Sequence, residues 1–180
     1  MLGNTPLRYG FRTRLLHWLI ALLILVLIGL GWWMVGLSYY DTWYHDATSL
    51  HEGLGVVAWV LTIVLVAGNL LNKPPKSLPL SWWEKPAAWA AHKLLYVAIL
   101  ALPVAGYLIS TADGNPLSVF GLFEIEAIWA KDKSVRDAAI FVHTYGGYGM
   151  LGLVAMHGGA ALKHHVINKD RTLLRMIRGR

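Results

Sequence analysis

Four apolar runs, residues 15–37, 53–71, 86–111 and 138–162, alternate along the chain with shorter polar segments. Each is long enough to cross about 30 Å of hydrocarbon as a helix, and only the third carries a charged side chain, Lys93. The pattern predicts an all-α integral membrane protein, a four-helix bundle in one domain over residues 1–180. No small-residue cleavage site follows the first run, so it reads as a retained helix rather than a signal peptide. Its far end runs into WWMVGLSYYDTWYH, a Trp and Tyr belt of the kind found at a membrane interface. Between the second and third runs, NKPPKSLPLSWWEKP is too rich in proline to continue a helix. Pro103 inside the third run is expected to kink it. The longest connection, residues 112–137, opens on the turn signal DGNP and is expected to hold a short interfacial helix.

Composition supports this reading. Of 180 residues, 56% are hydrophobic and only 14% charged, and the mean hydropathy is +0.49, far from the balance of a soluble domain. Four crossings place both termini on one side. Arg8, Arg12, Arg14, Lys73, Lys76, Lys85, Lys93, Lys163, Lys169, Arg171, Arg175, Arg178 and Arg180 lie on that side, against Lys131, Lys133 and Arg136 on the other. By the positive-inside rule both termini are cytoplasmic. The net charge of +6 therefore reports topology and attraction to anionic lipid, not nucleic-acid binding. With no cysteine there is no disulfide, thiolate-held cluster or c-type haem attachment.

The candidate chemistry rests on histidine. His143 and His157 share the last run and are fourteen residues apart, close to four helical turns. They therefore lie on one face, about 21 Å apart, too far for one metal and suited to two cofactors stacked across a bilayer. His17 and His157 fall in the leaflet nearer the termini, His51 and His143 in the opposite one. Neutral imidazole suits iron, and ionisable groups at this depth are functional candidates. Two bis-histidine haem b groups fit better than zinc, because two ligands per site are too few and no HExxH occurs. Gly146, Gly147, Gly149, Gly152, Gly158 and Gly159, with Gly53 and Gly55, would leave room for a porphyrin or let helices pack closely.

The other histidines and the cations are secondary. His92, beside Lys93, is placed to touch a haem propionate or a quinone. His45 reads as a surface residue, and His164 and His165 as part of the basic rim. Arg12 and Arg14 on one side and Arg136 on the other are candidate propionate contacts, and Lys131, Lys133 and Arg136 form a local positive cluster that would draw in an anion such as superoxide or an acidic redox partner. The same histidines would also suit a transporter of protons or metal.

These strings resemble the prokaryotic cytochrome b561 family across nearly the whole chain. They include LLHWL, LHEGLG, AHKLLYVAILALPVAGYLIS, GNPLSVFGLFE, the two histidines of the last run, and ALKHHVINKDRTLLRM. NTPLRYG, WMVGLSYYDTWYH and GYLISTADG are similar to its YceJ-like subgroup. The resemblance implies two haem b groups, held by His17 with His157 and by His51 with His143, and electron exchange with ubiquinone. One branch of the family oxidises superoxide at the periplasmic face, and the outer-loop and N-terminal strings here depart from it. The subgroup further implies a periplasmic partner, a lipocalin-like isoprenoid-binding protein of the YceI type.

Overall fold

A computed structural model describes residues 1–78, 80–129 and 132–179. Four long helices, α1 (Phe11–Val35), α2 (Tyr44–Leu71), α3 (Glu84–Ser110) and α4 (Lys133–Val166), are each long and apolar enough to cross a membrane. A two-stranded antiparallel hairpin, β1 (Leu117–Val119) with β2 (Phe123–Ile125), lies between α3 and α4. A short helix, α5 (Thr172–Arg178), follows α4.

The helices extend beyond the apolar runs at most of their ends. α2 begins nine residues before Gly53, in YHDATSLHE, and α4 begins at Lys133 rather than near Ala138. Hydropathy marks the part that lies in hydrocarbon, whereas backbone hydrogen bonding continues through the headgroup layer. Asp132 caps α4 by accepting from the N–H groups of Ser134 at 2.8 Å and Val135 at 3.4 Å. The Ser134 hydroxyl and these backbone donors hold the Asp132 carboxyl below the usual range, as suits an N-cap. At 34 residues α4 is about 51 Å long and outreaches the hydrocarbon.

The connection expected to hold an interfacial helix forms the hairpin instead, with Leu117 paired to Ile125 and Val119 to Phe123. Leu117 and Val119 are buried while Ser118 between them is partly exposed, the two-residue alternation of a strand with one covered face. Phe120, in the left-handed region at φ 53°, packs its ring where a Cβ on Gly53 of α2 would stand.

The closest helix pairs are α1 with α2 and α3 with α4, and α2 with α3 joins the two halves. A core of Ile20, Leu65, Ile99 and Met150, flanked by residues such as Ile24, Leu61 and Val154, sits at mid-depth. Large apolar side chains such as Leu22, Leu25, Val97 and Phe141 point outward, as they do where lipid is the solvent and offers no hydrophobic drive for helix association. Pro103 lies within α3 and cannot donate to the Ile99 carbonyl. The neighbouring carbonyls of Leu100 and Leu102 receive side-chain donors, the first from Trp59 Nε1 at 3.1 Å.

Two paired imidazole sites

His17, His51, His143 and His157 meet as two pairs at two depths. His17 of α1 and His157 of α4 have ring centroids 6.2 Å apart. His51 of α2 and His143 of α4 have centroids 6.0 Å apart. A metal bound between two imidazoles, with bonds of about 2 Å on each side, separates the ring centres by about 6 Å. The pairs are divided by the apolar core, with Met150 midway between the two α4 histidines. Nδ1 of His17 and of His51 is buried without a hydrogen-bond partner.

In the second pair the local structure dictates the tautomer. His143 Nδ1 lies 2.9 Å from the Leu102 carbonyl. A carbonyl only accepts, so Nδ1 carries the proton and Nε2 keeps the lone pair that a metal needs. The approach depends on Gly106, where a Cβ would stand 3.2 Å from His143 Cε1 and 3.4 Å from Nδ1. Gly31 of α1 holds the equivalent place against His51, where a Cβ would stand 3.2 Å from His51 Cε1. Neither glycine stands out in the sequence, because glycine in a membrane helix is common and its neighbour is invisible without the packing. Of the glycines that do stand out, Gly146 meets Leu102 and Gly53 meets Phe120, so these two receive side chains. A Cβ on Gly55, Gly147, Gly149, Gly152, Gly158 or Gly159 would meet nothing within 4 Å.

His92 of α3 joins the first pair, its ring 5.2 Å from that of His157. Its Nδ1 donates to the Ala88 carbonyl at 2.6 Å, leaving Nε2 as an acceptor. The remaining candidates are scattered. Arg14 donates Nη1 to the Ile177 carbonyl at 2.8 Å, Arg12 is exposed at the start of α1, and Arg136 pairs with Asp113 at 3.8 Å. Lys131 and Arg180 lie outside the described residues. His45 packs edge-on against Tyr39 and Tyr44.

His165 is exposed as a rim residue should be, but His164 is buried, with Nδ1 2.6 Å from Asp170 Oδ2. Burial pushes the Asp170 carboxyl up, and hydrogen bonds from Thr172 and His164 outweigh it, so its pKa stays below the usual range. Sequence reading also misses the Glu52 carboxylate beside His51, which accepts from Ser110 Oγ at 2.5 Å.

Among the described residues no three histidine, cysteine or acidic side chains form a metal-holding group. Each site offers a pair of imidazoles, the set that an iron porphyrin requires, since the macrocycle supplies the other four ligands. The donor chemistry and the centroid spacing fit haem b.

Comparison with known proteins agrees. The family model for prokaryotic cytochrome b561 matches residues 8–179. The chain is 43% identical over 175 residues to cytochrome b561 homolog 2 of Escherichia coli K12, covering 97% of this chain and 93% of that one. Cytochrome b561 homolog 1 of the same organism is 31% identical over 168 residues, covering 90% and 92%. A Yersinia pestis protein named probable superoxide oxidase CybB is 27% identical over 173 residues, covering 90% and 91%. With four membrane-spanning helices and a match over almost its entire length, the chain belongs to the prokaryotic cytochrome b561 family of membrane electron-transfer proteins, for which haem b is the expected cofactor.

Proposed function

We propose that this protein carries electrons across the bacterial inner membrane through two haem b groups, between a donor or acceptor at the periplasmic face and the ubiquinone pool. In this reading His17 and His157 hold the haem nearer the cytoplasmic termini, and His51 and His143 hold the periplasmic one. The observation that carries it is the pair of imidazole couples with centroids 6.2 and 6.0 Å apart, on helices that cross the membrane together. Haem b supplies a one-electron couple when bound; the rest is the work of side chains. The Leu102 carbonyl orients His143 and raises its basicity by accepting from Nδ1. Ile20, Leu65, Ile99 and Met150 keep water from the space between the two levels. His92, with its ring 5.2 Å from His157, is assigned to quinone, where Nε2 would accept from a quinol hydroxyl, or to a propionate, which it would meet only as imidazolium; Arg12 is a further cation on that side and Arg136 at the other face, whereas Arg14 is turned to the Ile177 carbonyl.

Pyridine haemochrome quantification tests this directly. Wild type should bind two haem b per chain, and His51→Ala and His157→Ala should each fall towards one. A full complement in either variant would overturn the ligand assignment.

Two finer readings concern the periplasmic face. The Yersinia relative's name motivates superoxide as a reductant, and rapid mixing with superoxide checks it. The alternative is a docking subunit for a lipocalin-like isoprenoid-binding protein, motivated by the exposed apolar residues Leu122, Phe123, Ile128 and Trp129 on and beyond the hairpin; co-purification checks that one.

A further inference from the structure

The face that carries the termini is capped by residues 1–10, the segment after α2, and α5, and the cap is tightly built. Asn4 Nδ2 donates to the Asn72 carbonyl at 2.9 Å, and Asn4 Oδ1 accepts from the Gly10 N–H at 2.8 Å. Arg175, only 7% exposed, donates to the carbonyls of Lys76 and Leu7, both at 3.1 Å, and lies over the Tyr9 ring. This clamp leaves an open cavity of about 180 Å³ whose lining includes Thr5, Tyr9, the half-buried Arg14 and the exposed Arg8 and Arg178. Gly179 ends α5 at φ 70°, and a Cβ there would lie 3.0 Å from the Arg14 guanidinium carbon. Glycine thus satisfies the left-handed backbone and lets Arg14 close onto the wall.

The cavity has no internal counter-charge among the described residues. The acids of this face, Glu84 and Asp170, are already engaged, Glu84 by Lys163 and Asp170 by His164 and Thr172. Arg14 Nε and Arg175 Nε are buried without a hydrogen-bond partner. Three arginines around one cavity, Arg14 with a spare Nε donor, match the oxygens of a phosphate better than any neutral group. Depth narrows the source. Arg14 stands one residue before the first apolar run, and Trp18 in the next turn donates Nε1 to the Met176 carbonyl at 3.0 Å. Tryptophan so placed marks the level of the lipid headgroups.

We propose that this cavity binds the phosphate of an anionic phospholipid and so fastens the N-terminal segment and α5 to the membrane surface. The site is independent of the haem assignment and would stand if that failed. The test is native mass spectrometry of the intact protein extracted from bilayers containing equal phosphatidylglycerol and phosphatidylcholine. Wild type should retain phosphatidylglycerol in about tenfold preference, as expected for several arginines at a membrane surface. Arg178→Gln should weaken the preference and Arg8→Gln with Arg178→Gln should abolish it. Arg171→Gln, which removes the same charge from the same face outside the cavity, should leave it intact. Loss in Arg171→Gln equal to that in Arg178→Gln would mean diffuse surface charge and overturn the proposal. So would equal retention of the two lipids by wild type, or displacement of the lipid by millimolar inorganic phosphate that is itself retained.

Discussion

Gly106 is the residue on which the geometry of the His51–His143 site turns. A methyl group there would press on His143 Cε1 and Nδ1 and lengthen the hydrogen bond to Leu102, because the nearby atoms would have to give by a few tenths of an ångström. Accepting from Nδ1 makes the imidazole a stronger donor to iron and favours the oxidised state, so weakening that bond raises the potential. A single hydrogen bond is worth about 1 kcal/mol, which for one electron is on the order of 40 mV. Gly106→Ala is accordingly expected to raise the midpoint potential of one haem by tens of millivolts and leave the other unchanged in a spectroelectrochemical titration. A shift of both, or of neither, would show that Gly106 does not position His143. Absence of haem from wild type would instead count against the ligand assignment.

At the scale of elements, the hairpin is the part that most exceeds what a membrane bundle needs. Its inner face is anchored, with Leu117 and Val119 buried and Phe120 seated on Gly53. Tyr107 of α3 pins the strand exit by donating to the Glu126 carbonyl at 2.6 Å and accepting from the Ile128 N–H at 2.9 Å. Its outer side leaves Leu122 80% and Ile128 81% exposed, a cost in water unless lipid or protein covers them. If a soluble lipocalin-like partner docks there, Leu122→Asp with Ile128→Asp should cut its co-purification about tenfold, since truncating central apolar anchors costs a kcal/mol or more, while haem content stays at the wild-type level. Undiminished capture, or no partner at all, would leave burial in lipid as the role of these side chains.

For the whole molecule, the distribution of charge governs what reaches each face. Asp41, Asp46, Glu52, Asp113, Glu124, Glu126, Asp132 and Asp137 fall on the side opposite the termini with only Lys131, Lys133 and Arg136. Arg136 is partly neutralised by Asp113. Against the expectation that the cationic cluster would draw in an anion, the acids outnumber it, so the net field there repels one, and salt screens that repulsion. Should superoxide be the reductant, haem reduction after rapid mixing is expected to be faster in wild type than in His51→Ala and to accelerate as ionic strength rises. Equal rates in the two proteins would remove superoxide from the function.

Four crossings, the clustering of cations with the termini and the two depths of histidine were legible in the sequence, because hydropathy and helical rise depend on composition and spacing alone. So was the fourteen-residue interval that sets His143 and His157 on one face of α4. Which surfaces touch was not legible. Gly31 and Gly106 matter only because His51 and His143 lie against them, and Leu102 matters only through a backbone carbonyl that any residue would supply. The hairpin escaped as well, because segments of three residues are too short for a period to show, and its register comes from packing on α2. The arginine cavity, too, exists only once the N-terminal segment folds back over α5. Spacing along the chain determined the elements and the depth of each histidine, while tertiary packing decided the second contacts that orient the imidazoles and converge the cations, since those contacts join residues remote in sequence.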